Sequence, residues 1–525
     1  MQRTPWPLRL SLGSKLLAAA GLLLPQASQA ASLPAMPATT PATASQTQVA
    51  PHWRFHRDHV LGTSLDLITV GGNEATGREA LAVAQAEIDR LDRVLSRYRA
   101  DSELAALNQC EQMQASEALY EVVAACEQWR TRTQGAFSAR LGVALALWQD
   151  AGFSGKLDTD AIARAVAAAE AAEVKLDPTS RTITRPADVV FAPDALAKGY
   201  IIDRAMQAVR NQVEGLDGLL IDIGGDIRSW GRAPQASGWQ LGVAQANQPQ
   251  DNAPLVATLQ LGSKAVATSG RGQRDIEING MAHAHIVSPQ TGAAVTEVSS
   301  VTVVADRAAD ADALSTAFAV MPAAQSLALA DRLPGVATLL QLADGSQLQS
   351  AAWQDISEAR SSLAPRFIYT ADAATAPWPA GFTASIDYEV PKIEAENYKA
   401  PFVAIWITDQ NRAIVRNLTH LGNQEKWIDS NYVWWRRYGR KIEKLDTVTK
   451  PTRKPGKYSL AWDGTDEAGR KVGQGKYLVH IEAAREHGGH TYQTFEIELG
   501  SKPLSLPQAA KDELGGVVLR YGKSA

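Results

Sequence analysis

The texture of the chain changes once, near residue 380. Before that point, segments with the apolar period of an amphipathic helix alternate with short apolar runs, the pattern of one layered domain of helices and strands. After it, residues 385–390, 402–408, 458–463 and 476–483 alternate apolar and polar positions between turns bearing Gly or Pro. That period of two is the signature of a small β-sandwich. One period does not substitute for the other, so the 525 residues must build more than one core. The loop-like residues 349–380 divide an α+β domain, residues 53–348, from an all-β domain with a C-terminal tail, residues 381–525.

Ahead of both lies a different kind of segment. Arg3, Arg9 and Lys15 precede the apolar run 16–24, and Ala27, Ser28, Gln29 and Ala30 follow it. A basic start, a short apolar stretch and small residues at a cleavage position make residues 1–30 a secretory signal peptide. The apolar run falls short of the ~20 residues of a membrane span, so the expectation is a periplasmic protein with no stable span once the signal is removed. Residues 31–52 open with a Pro-, Ala- and Thr-rich flexible linker composition. A formal net charge of -4 gives no electrostatic case for nucleic acid. Two cysteines are too few for a disulfide framework, and their spacing leaves open whether Cys110 and Cys126 pair.

Within the first domain, helices are expected over residues 78–98, 118–131, 160–172, 195–210 and 308–321. Strands are expected over 59–70 with a break at Gly62, and over 218–223, 239–244, 255–261, 276–278 and 300–304. The helix at 308–321 carries the clearest chemistry. It sets Asp312 and Thr316 four residues apart, on one face. A carboxylate and a hydroxyl so placed suit a hard cation such as Mg²⁺; the same spacing is also common on ordinary solvated helices.

Several short blocks gain meaning when taken together. They are Leu61-Gly62-Thr63; Arg97-Tyr98-Arg99 with Asn108; Gly135-Ala136-Phe137; Ala197-Lys198-Gly199 with Asp203; Asp222-Ile223-Gly224-Gly225-Asp226; Ala267-Thr268-Ser269-Gly270; His285-Ile286 leading to Thr291-Gly292; and Ala311-Asp312 through Thr316. In this order, over roughly residues 53–348, they closely resemble the ApbE family, the FAD:protein FMN transferases. The resemblance implies a T-fold-like α+β domain with FAD in a central cleft. It implies Mg²⁺-assisted transfer of FMN from FAD to a threonine hydroxyl of a periplasmic electron-transfer protein carrying a Thr flavinylation motif, with release of AMP.

Carried over residue by residue, the resemblance makes Asp312, Thr316 and the carbonyl of Ala195 the metal ligands. It places Leu61, Tyr98, Ala136, Phe137, Ser138, Ala192, Lys198 and Ile286 against FAD. Lys198 would meet the phosphates, and His285 would be the base for the incoming hydroxyl. The chain departs from the family pattern where Ser138, Ala192 and Ser288 replace carboxylates, and Asp194 lies two residues from one of them. FAD hydrolysis to FMN and AMP, or a non-catalytic flavin-binding scaffold, are the alternatives these departures raise. In the second domain, Trp462-Asp463-Gly464 and the later Gly475-Lys476-Tyr477 resemble the Ig-like module of flagellar hook-capping proteins, and more closely a family of periplasmic domains. The expected role is docking or spacing, and Trp434-Trp435 reads as one ring in the core beside a half-covered neighbour.

Overall fold

The computed structural model describes residues 50–234, 238–246, 255–272, 275–358, 376–393, 400–422, 430–438, 449–450, 453, 455–467, 470–485 and 489–523. The signal peptide expected at 1–30, and residues 31–49 of the expected linker, lie outside them. The described residues fall into two compact units, 50–358 and 376–523.

The first unit is built on an eight-stranded antiparallel sheet whose spatial order follows the chain. It runs His52–Val60, Thr63–Val70, Gly218–Ile223, Asp226–Gly231, Ala265–Gly270, Val298–Ala305, Ala337–Leu342 and Gln347–Gln349. Alternation decides which side chains face where. Leu65, Leu67, Leu219, Ile221 and Ile223 point to the face covered by helices Glu74–Leu95, Glu117–Arg132, Asp194–Gln212 and Ala308–Val320. Ile68, Val70, Leu220 and Ile227 point the other way, onto Trp239, Leu241, Leu259 and Trp353. The sheet is therefore covered on both faces. Val298–Ala305 is buried along its whole length, with Ser299, Ser300 and Thr302 buried among its apolar residues.

Three expectations change. The single strand at 59–70 is a hairpin, because Leu61 (φ 47°) and Gly62 (φ 77°) form a two-residue left-handed turn between Val60 and Thr63. Helix Gly142–Ser154 was not anticipated; it has no side-chain cap at its start and is apolar nearly all round, so it lacks an amphipathic period. Residues 350–358, expected as linker, belong to the first unit: Trp353 is buried, and Ser357 and Glu358 pair with Leu259 and Thr258. The other expected helices and strands are found within a few residues, including Gly218–Ile223 and Trp239–Ala244 at their expected ends, while helix Ala323–Arg332 and strands Asp226–Gly231, Ala265–Gly270 and Ala337–Leu342 have no counterpart among the expectations.

The second unit packs a four-stranded sheet (Gly456–Trp462, Phe382–Val390, Val517–Lys523, Leu504–Gln508) against a five-stranded one led by Phe402–Asp409 and Gly475–Ala484. Ile386, Tyr388, Leu460 and Trp462 meet Val403, Ile405, Val479 and Ile481 in one core. Trp434 is buried and Trp435 only half covered. Of the residues at the following hairpin tip, Glu486 and His487 lie outside the described residues, while His490 pairs with the buried Glu482. Both cysteines are free; burial pushes the Cys126 thiol well above its ordinary value.

Candidate functional site

The site grows from the crossing of helices Asp194–Gln212 and Ala308–Val320. They touch at Gly199, where an added Cβ would sit 2.2 Å from the Ala308 carbonyl oxygen. Only a glycine admits that approach. Asp203, one turn further on, is half-buried and accepts from the N–H groups of Ala308 (2.9 Å) and Ala309 (3.1 Å). It thereby caps the second helix, whose own N-cap residue, Arg307, supplies no side-chain cap bond. Arg228 holds the same carboxylate at 2.5 Å.

The close crossing brings residues 113 positions apart together: the Gly199 N–H donates to Asp312 Oδ2 at 3.2 Å. In a helix the N–H of residue 199 points toward the carbonyl of residue 195. Asp312 thus lies on the side of the Ala195 carbonyl. Thr316, one turn beyond Asp312, has its Oγ1 3.2 Å from Ser269 Oγ on strand Ala265–Gly270. Asp312 is only 6% exposed and Thr316 is half-buried.

Around these oxygens the remaining expected residues take different positions. Lys198 Nζ lies 2.5 Å from the buried carboxylate of Asp226. Tyr98 stands out from the surface, 60% exposed, with the Arg97 guanidinium over its ring at 4.5 Å. Arg97 also pairs with Asp194, the first residue of the Gly199 helix. Asp194 keeps its side chain 40% exposed while holding that arginine. Leu61 is half-buried at the hairpin turn.

Ala136, Phe137 and Ala192 are buried, with Ala192 N–H donating to the Ala139 carbonyl at 2.7 Å. The Phe137 ring belongs to the core, so any contact from this segment with a bound molecule falls to its backbone and to the half-buried Ser138. Ser138 Oγ accepts from Arg140 N–H at 3.3 Å, and Arg140 is locked by Glu127.

Ile286 joins the same apolar cluster as the Asp312 helix, and His285 beside it is half-buried. Downstream, Ser288 Oγ accepts from the N–H groups of Gln290 and Thr291, both at 3.3 Å, and so keeps the turn that a carboxylate would also support. A cleft of about 540 Å³ adjoins this segment, with Trp148, Arg271, His283 and Thr296 in its walls.

Behind the hairpin, Asp66 and Asp222 are cross-strand partners, and His56 contacts Asp66 at 3.0 Å. Burial, with Asp66 as the next cause, pushes the Asp222 carboxyl up to about 8. Sequence reading had noted Asp203, Asp226 and Ser269 inside their blocks without giving them a role. The one signal available was that each is a polar residue in a segment otherwise read as buried.

Among the described residues no three His, Cys, Asp or Glu side chains gather as a metal cluster. The Asp312 site offers one carboxylate, one hydroxyl and a backbone carbonyl. That donor set is all oxygen and incomplete by itself, which fits Mg²⁺, an ion that keeps water or phosphate oxygens in its shell.

Residues 61–340 match the family model described as "ApbE family". Residues 383–516 match one described as "Predicted periplasmic protein (DUF2271)". The chain is 31% identical to the FAD:protein FMN transferase of Treponema pallidum over 289 residues, covering 51% of this chain and 78% of that protein. To the FAD:protein FMN transferase of Klebsiella pneumoniae it is 27% identical over 297 residues, covering 54% and 81%. The crystal structure of the ApbE protein from Thermotoga maritima aligns with a TM-score of 0.52 at 26% identity, over 59% of this chain and all of that one.

Proposed function

Because the chain belongs to the ApbE family, we propose that its first unit transfers FMN from FAD to a threonine hydroxyl of a periplasmic acceptor protein, releasing AMP. Flavin transfer from FAD to protein is the activity of the relatives it matches. Mg²⁺, the threonine and the compartment are the finer parts of the proposal.

The observation that supports it is the Gly199 N–H bond to Asp312 at 3.2 Å, made one turn after Ala195 on one helix and one turn before Thr316 on the other. Bound there, Mg²⁺ would neutralise the pyrophosphate oxygens and make AMP a better leaving group. This chain's own groups do the rest. Lys198, poised by Asp226, meets the phosphates, and the exposed Tyr98 ring gives FAD a face to stack on. His285 takes the proton of the acceptor hydroxyl as its oxygen bonds to the FMN phosphorus and the bond to AMP breaks. Leu61, Ala136, Phe137, Ser138, Ala192 and Ile286 complete the FAD pocket, largely through backbone and apolar contact.

The basic, apolar and small-residue pattern of residues 1–30 supports export. The periplasmic description of the family matched by residues 383–516 agrees with it. No helix among the described residues is long and apolar enough to cross a membrane. The second unit is assigned an Ig-like docking or spacing role, since two sheets share its core.

The test is incubation with FAD, Mg²⁺ and an acceptor carrying a Thr flavinylation motif, read as flavin fluorescence on the acceptor band of a denaturing gel. Wild type should label the acceptor, and Asp312→Ala should lower kcat/KM by about 100-fold or more. Free FMN and AMP without labelled acceptor would replace transfer by hydrolysis. No product of either kind would leave only flavin binding. Full activity in Asp312→Ala would remove the metal assignment.

A further inference from the structure

We propose that Ser269 is a positioning residue: it turns the Thr316 hydroxyl so that lone pairs, not the proton, face the cation site. The inference rests on the metal reading above and adds a residue to it.

Ser269 Oγ lies 2.7 Å from Ser315 Oγ and 3.2 Å from Thr316 Oγ1. Distances alone leave the direction of both bonds open. A third contact fixes it. Ser315 Oγ lies 2.9 Å from the backbone carbonyl of Asp312, and a carbonyl can only accept. A hydroxyl has one proton to give. Ser315 spends its proton on that carbonyl, so it must accept from Ser269. Ser269 then has none left for Thr316 and must accept from it.

The result is a one-way chain: Thr316 hydroxyl to Ser269, Ser269 to Ser315, Ser315 to the Asp312 carbonyl. Its inner end is closed to water, because Ser315 is 0% exposed. Reversing the chain would forfeit the Ser315 bond to the Asp312 carbonyl, a net loss of ~0.5–1.5 kcal/mol for one hydrogen bond.

The consequence falls on Thr316. A hydroxyl binds a cation through oxygen, and a proton aimed at the ion opposes binding. With its proton held by Ser269, Thr316 presents acceptor lone pairs before any ion arrives. The same chain returns to the backbone of Asp312, so both proposed side-chain ligands are braced by one network. Groups that orient a ligand in this way commonly change metal affinity by ~10–100-fold when removed.

The experiment is Mn²⁺ binding to the full-length chain, followed by the loss of the free Mn²⁺ spin-resonance signal without FAD, with thermal melting alongside. Ser269→Ala should weaken Mn²⁺ binding about 10-fold with little change in melting temperature. Ser269→Thr, which keeps the hydroxyl, should restore binding to near wild type. Should Ser269→Ala fail to fold, Ser269→Cys, whose thiol is a poor acceptor, takes its place with the same expected loss. Wild-type affinity in the folded Ala or Cys variant, while Thr316→Val loses binding, would overturn the role of Ser269 and leave the metal reading intact. Wild-type affinity in Thr316→Val and Asp312→Ala as well would overturn both.

Discussion

Lys198 illustrates how one side chain can serve two ends. Its side chain is 18% exposed and its ammonium lies against Asp226, whose side chain is 3% exposed. Removing the lysine would strand a buried carboxylate, which costs ~3–5 kcal/mol in such settings. Lys198→Ala is therefore expected to lose stability as well as activity. Adding Asp226→Asn should recover most of the stability and none of the transfer rate, as urea unfolding and labelling would read separately. Recovery of activity in the double variant would show that Lys198 acts on the fold alone. The lysine was legible in the sequence because it stands in a recognisable block. Its partner was not, since nothing in a linear spacing of 28 residues says which of several nearby carboxylates a lysine will meet.

Among elements, the crossing at Gly199 decides the geometry of the site. Helix propensity alone would favour alanine there by ~1 kcal/mol. Backbone atoms of Ala308 and Ala309 would lie 2.2–2.6 Å from its Cβ, too close to accommodate without separating the helices. Gly199→Ala should thus destabilise the chain by ~1–3 kcal/mol and weaken metal binding through the lost Asp312 contact. A melting curve with a metal titration on the folded fraction checks both, and an unchanged metal affinity would mean the crossing does not set the site. The helix containing Asp312 was readable from its apolar pattern, and its observed span, Ala308–Val320, ends one residue short of expectation. Helix Gly142–Ser154 is not, because apolar residues on its exposed side, Val143 and Phe153, as well as on its buried side, Ala144, Trp148 and Ala151, erase the periodicity that marks a surface helix. The hairpin at Leu61-Gly62 is half legible: the glycine marks a break, but residues 53–58, most of the preceding strand His52–Val60, carry no expected element.

Across the whole molecule, the two units carry buried titrating groups whose pH effects run in opposite directions. His420 in the second unit is fully buried, and burial lowers its pKa from 6.5 to about 4. The unfolded chain then binds more protons between those values, so this group's contribution to stability is present above pH 6.5 and is lost as pH falls toward 4. Asp222 in the first unit is raised from 3.8 to about 8, and here the native state holds the extra proton. Its contribution is favourable near pH 4 relative to pH 8 and declines as pH rises through that window. Calorimetry from pH 4 to 8 should find the transition of the second unit dependent on His420 at the acid end, flattened in His420→Gln. The transition of the first unit should gain at pH 8 in Asp222→Asn. The opposite slopes in these variants would refute the assignment.

The sequence by itself determined the division near residue 380, the period of the long amphipathic helices and of several strands, and the family of the first unit, because periodicity and motif order are local properties of a chain. It also named Asp312 and Thr316 as oxygens on one helical face. Tertiary structure alone decided that residues 350–358 complete the first unit, and that Asp194 answers Arg97. It alone brought Asp312 to Gly199 and Ser269 to Thr316. Those contacts form between segments far apart in the chain, where packing of backbone against backbone, rather than any residue preference, selects the partner.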